Sequence, residues 1–109
     1  MDLAPTGWSI DNTRMPAGGV TEWAGWSFTN DDFFTAAAPG RGREGNVRSR
    51  NVFAVADADE WDDKAHGTGE FDSTLISEAV KLNGAKSLRV DFVSDYLVDG
   101  PQSGQVLAS

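Results

Sequence analysis

Residues 57–63, DADEWDD, place five carboxylates and one tryptophan in seven positions. Oxygen-rich clusters of this kind suit a hard cation. Calcium takes about six to eight oxygen ligands from carboxylates, carbonyls and water. Asp57, Asp59, Glu60, Asp62 and Asp63 supply oxygens at short reach, and Glu70 and Asp72 follow in a segment that can return beside the same loop. Carboxylates this close repel one another unless a cation or solvent relieves them. The alternating Asp/Asn spacing and central glycine of an EF-hand are missing. The other reading is a solvated acidic loop with Trp61 folded into the core. The residues alone leave both open.

The same carboxylates bear on catalysis. A pair at a defined separation can hydrolyse glycosides, but here the candidates are many and none is singled out. His66 is the only histidine, and it lies in the polar, glycine-rich KAHGTGE. One histidine cannot build a histidine-rich zinc or copper site. There is no cysteine, which excludes disulfides and thiolate ligands. A serine nucleophile would need His66, and no GxSxG elbow is present. These features lean away from an enzyme. The aromatics Trp8, Trp23, Trp26, Trp61, Phe33, Phe34 and Tyr96 can form a sugar-stacking platform. In small β domains such rings more often fill the core. Trp23 and Trp61, flanked by charge or glycine, are the better candidates for an exposed ligand-binding position.

The elements that must hold these residues read mainly as strands. A short strand is expected at GWSID, another over 20–29 (VTEWAGWSFT), although its alternation is imperfect. One short helix is expected near residues 30–38, with Asn30 or Thr29 as cap, Asp31 and Asp32 in its first turn, and Pro39 and Gly40 as stop. Strands follow at 51–57 (NVFAVAD), 71–82 and 87–98, the last with Leu88, Val90 and Phe92 on one face, and a final one begins at QVLAS. About five to six strands with turn signals between them indicate an all-β antiparallel sandwich. The 109 residues allow one domain with one core, 1–109. A strand that begins on the last residues suggests a sheet incomplete at its C-terminus. A second copy or a partner chain would cover the edge so exposed.

The net charge of −8 argues against nucleic acid, which needs clustered Lys and Arg, and against an anionic membrane surface. It favours cations, neutral sugars or basic partners. The positive charge concentrates in RGREGNVRSR, residues 41–50, which reads foremost as a solvated loop. No apolar run is long enough to span a bilayer, and MDLAPTG has neither the basic start nor the apolar stretch of a signal peptide.

Taken in order, GWSIDN, EWAGWSF, NVFAVADADEWDD, GEFDSTLISEAVKL, SLRVDFVSDY and GQVLAS resemble a jelly-roll β-sandwich. The likeness is to concanavalin-like and galactose-binding-like, adhesin-type accessory modules of secreted bacterial multidomain proteins, such as actinobacterial metallophosphoesterases and glycan-degrading enzymes. It runs from about residue 7 to the end. It implies a non-catalytic, extracellular or cell-surface module that binds glycan or a protein surface and carries a structural calcium ion, with Asp57, Asp59, Glu60, Asp62, Asp63 and Asp72 as ligand candidates. Related modules continue past the QVLAS block with further strands, and this chain departs from them there. The alternative expectation is a fragment or small form of a hydrolase, a phosphoesterase or glycosidase, that uses the acidic cluster.

Overall fold

Among the described residues, regular structure is confined to the first three-quarters of the chain. The computed structural model describes residues 1–109 apart from 46–49 and 98–99, so Arg48 of the basic stretch and Val98 of the strand expected over 87–98 lie outside the described residues. The elements are β1 (Ser9–Asp11), β2 (Trp26–Asn30), α1 (Asp31–Ala37), β3 (Val52–Ala56), α2 (Ala58–Asp62) and β4 (Thr74–Ile76), with short 3-10 turns at Thr21–Trp23 and Arg43–Gly45. The antiparallel, strand-led character expected from the sequence is present as two separate two-stranded sheets, and neither closes.

β2 and β3 pair with Trp26 opposite Ala56, Phe28 opposite Ala54 and Asn30 opposite Val52. The imperfect alternation of β2 has a simple cause. Ser27, Phe28 and Thr29 are all buried, so this strand has two covered faces and needs no polar side. The strand starts later than expected, because Thr21–Trp23 coils into a 3-10 turn and Gly25 takes φ +75°. The helix near 30–38 forms as α1. Asn30 is its cap, with Oδ1 accepting from the Phe33 N–H at 2.9 Å.

The smaller sheet pairs β1 with β4, Ile10 opposite Leu75. A polar knot ties it to the larger one. Ser73 Oγ donates to Asn12 Oδ1 (2.6 Å) and accepts from the Trp26 N–H (3.1 Å), while Asn12 Nδ2 donates to the Ala24 carbonyl (2.9 Å). The Trp26 indole N–H closes it on the Ser73 carbonyl (3.2 Å). Gly25 passes so close that a Cβ there would lie 2.0 Å from Asn12 Oδ1, which is why the left-handed turn needs glycine.

Among the described residues the buried apolar side chains are Trp23, Phe28 and Trp61, and Thr29 is fully enclosed. The second half of the chain departs most from expectation. The strand expected over 71–82 shrinks to Thr74–Ile76, and no strand forms among the described residues of 87–98 or at 105–109. Every described residue from Ser77 onward is exposed. Alternation provides a strand with a face but not with a neighbouring edge to pair with, and none within the chain receives it. No helix among the described residues is long and apolar enough to cross a membrane.

Candidate functional site

Residues 57–63 do not form an open loop. Asp57 caps a single helical turn, α2, its Oδ1 accepting from the Glu60 N–H at 3.2 Å. Asp59 and Glu60 fall in the first turn, where the helix end favours negative charge. The turn buries Trp61, holds Asp57 and Glu60 against one shared partner, and leaves Asp59, Asp62 and Asp63 toward the surface.

The centre of the cluster is an arginine. Arg43 Nη2 donates to Asp57 Oδ2 (2.6 Å) and to Glu60 Oε1 (2.9 Å), and Nη1 donates to the Phe34 carbonyl (2.9 Å). Its guanidinium lies over the Phe34 ring, 4.3 Å from the centroid, and 5.9 Å from that of Trp23. The side chains of Arg43, Asp57 and Glu60 are 11%, 14% and 12% exposed, so this ion triad is largely removed from water. Burial first, and then the carboxylates of Asp57, Asp63 and Asp59, push Glu60 above the ordinary carboxylate range against the pull of Arg43.

The remaining expected ligands are dispersed. Asp59 meets Arg41 at 2.7 Å at the surface, Asp72 meets Arg14 at 3.0 Å, and Asp62 meets His66 at 2.5 Å. Asp63 is the C-cap of α2. Among the described residues no three His, Cys, Asp or Glu side chains converge as a metal cage requires. As placed, Asp57 and Glu60 share Arg43, while Asp59, Asp62 and Asp72 each meet a different cationic or histidine side chain. The basic stretch, expected as a solvated loop, instead supplies counter-charge to the acidic one through Arg41 and Arg43.

His66 is equally committed. Its Nδ1 faces the Gly67 carbonyl at 2.8 Å and its Nε2 the Asp62 carboxylate. Both neighbours only accept, so the arrangement suits the doubly protonated ring. It leaves no lone pair to take a proton from a serine. The Gly67 carbonyl, then Asp62, raise the His66 pKa. A raised histidine pKa adds stability that is full below the unfolded value and is lost as pH rises through the folded one. We expect the His66 ring protons to titrate above the ordinary value of about 6.5 by NMR. Asp62→Asn should move the midpoint down. A wild-type midpoint at or below the ordinary value would show the pair does not hold in solution.

No protein family, curated protein or solved structure matches this chain. The site is therefore read from its own geometry.

Trp23 and Trp61, the better candidates for an exposed ligand-binding position, are 4% and 3% exposed, which favours the core reading weighed beside it. Trp23 packs against Phe33 and Phe34, and Trp61 against His66 and Phe71. Both are core. The surface holds two other features. One is a groove of about 400 Å³ between the N-terminal residues, Ile10, Trp26 and Phe28, with Asp2 and Glu22 among its lining. The Asp2 N–H donates to the Phe28 carbonyl at 2.8 Å, which fixes one wall. The other is the exposed apolar series Leu88, Val90, Phe92, Tyr96 and Leu97. Its alternation was legible. Its lack of cover was not.

Proposed function

We propose that this chain is a non-catalytic binding module that acts by laying its exposed, strand-patterned second half against another polypeptide. The observation that carries this is the exposure of Leu88, Val90 and Phe92, at 59%, 64% and 65%, in a segment whose pattern is that of a half-buried strand. Contiguous exposed apolar surface of this kind marks interaction sites. In this reading the second half completes an antiparallel sandwich of jelly-roll type once it is covered, as an accessory module at a cell surface would do. The hydrolase alternative is weaker, because Asp57 and Glu60 are shielded on Arg43 and His66 is held at both nitrogens.

A glycan reading rests on the groove, where Trp26 offers an apolar wall and Asp2 and Glu22 offer hydroxyl acceptors. The two readings separate on paired affinity resins, one carrying a synthetic peptide of alternating apolar pattern and the other cellulose. We expect retention on the peptide, lost in the V90S/F92S variant, whose replaced side chains lie outside the core. Retention on cellulose alone would carry the glycan reading instead. Calcium has no place in this proposal. An unfolding midpoint higher in calcium than in EDTA would show Asp57, Asp59 and Asp62 leaving their cationic partners, and would restore it.

A further inference from the structure

The chain exposes more surface than its mass warrants. Its accessible area is 8585 Å², against about 5,900 Å² for a compact monomer of this size. Its radius of gyration is 15.2 Å, against about 13 Å expected. The excess is roughly 2,700 Å², and every described residue from Ser77 onward is exposed. The buried apolar core among the described residues, three side chains, is correspondingly small.

The exposed segment carries its own complement. In 88–92, Leu-Arg-Val-Asp-Phe, Arg89 Nε donates to Asp91 Oδ2 at 2.8 Å, so these two side chains already share one side of the chain. Antiparallel pairing with an identical segment about Val90 sets Arg89 opposite Asp91 of the second chain, and Asp91 opposite its Arg89. Leu88 then faces Phe92, and Val90 faces Val90. Opposite charges across a strand pair stabilise it, and like charges oppose it. Shifting the register by one residue sets Arg89 against Val90 or Phe92 and loses both ion pairs. The apolar side becomes a stripe of Leu88, Val90 and Phe92 from each chain.

Resting on the binding-module reading above, we infer that the occupant is a second copy of this chain. The two copies pair antiparallel through 88–92 about a two-fold axis at Val90. Such an interface is isologous and closes at two copies.

The test uses the whole chain. Light scattering at micromolar concentration should give twice 11.7 kDa. The protein has no cysteine, so V90C introduces one thiol per chain. It should oxidise to a covalent dimer, whereas L88C should not, because that position faces Phe92. R89D should raise the dimer dissociation constant about tenfold or more by setting carboxylate against Asp91 on both sides of the axis. The charge-swapped double variant R89D/D91R should restore it, which a folding defect would not allow. A dimer indifferent to R89D and without V90C cross-linking would place the contact elsewhere and overturn the inference. A monomer whose 88–92 amides exchange freely would overturn the second copy but leave another polypeptide as occupant. A monomer with those amides protected would overturn the binding-module reading as well.

Discussion

Trp61→Ala is expected to remove about 3–5 kcal/mol of folding stability, the range for truncating a buried tryptophan. Domains of this kind hold about 5–15 kcal/mol in total, and here Trp61 is one of three buried apolar side chains. The loss has three parts. The indole leaves a void between the His66 ring, 4.2 Å away, and Phe71, 5.7 Å away. Its N–H donates to the Gly18 carbonyl at 3.0 Å, which loses its partner. The backbone at Gly19 was shaped for the ring, since a Cβ there would sit 2.1 Å from the indole nitrogen. The 13–20 segment, which has little regular structure, therefore loses its side-chain anchor to α2 and keeps only backbone bonds such as that from the Val20 N–H to the Trp61 carbonyl. Urea titration should show a lower midpoint with an unchanged slope. If the alanine variant does not fold, Trp61→Phe separates the effects. It keeps most of the packing but not the donor, and should cost roughly 1–3 kcal/mol. A loss below about 1 kcal/mol for the alanine variant would show that the indole is not the pin between these segments.

The burial of Trp61 also shows where sequence reading reaches its limit. Its charged neighbours made it a candidate for an exposed position, beside the reading that folds it into the core. One helical turn reverses that, because side chains at a 3.6-residue period send Asp59, Asp62 and Asp63 away from the face that holds Trp61. The clue was local: Asp57 followed by Asp59 and Glu60 repeats the capping logic that correctly placed α1 after Asn30. β2 and β3 were legible as strands because each is a short run rich in aromatic and apolar residues bounded by turn residues. The ion triad was not. Arg43 meets Asp57 and Glu60 across 14 and 17 residues, and no local period encodes a contact between two loops of opposite charge. The 87–98 segment failed in another way. Its alternation specified a face, but pairing depends on an edge that alternation does not specify.

Arg43→Ala is the companion result, and its pH dependence identifies it. Removing one member of a buried ion pair typically costs about 3–5 kcal/mol, because the other charge stays behind without compensation. Here two carboxylates stay behind, and the Phe34 carbonyl loses its donor. Glu60 already sits above its ordinary pKa, through burial and its acidic neighbours. A carboxyl raised in the folded state contributes stability that is full below its unfolded pKa and is lost as pH rises through the folded one. Without the guanidinium, Glu60 rises further. The deficit of the variant should therefore be largest near pH 7 and shrink toward pH 5, opposite to the usual acid destabilisation. Glu60→Gln in the wild-type background should be neutral or stabilising at pH 7, since the amide oxygen still accepts from Arg43 and one desolvated charge is gone. Added to Arg43→Ala, it should recover part of the loss. Arg43→Lys should fall between, because a single ammonium cannot serve two carboxylates and the Phe34 carbonyl while lying flat on a ring. Chemical denaturation of the four variants at both pH values decides the matter. An Arg43→Ala loss under about 1 kcal/mol, equal at both, would mark the pair as no stronger than a solvated surface bridge. It would return the acidic residues to the role of a water-exposed loop.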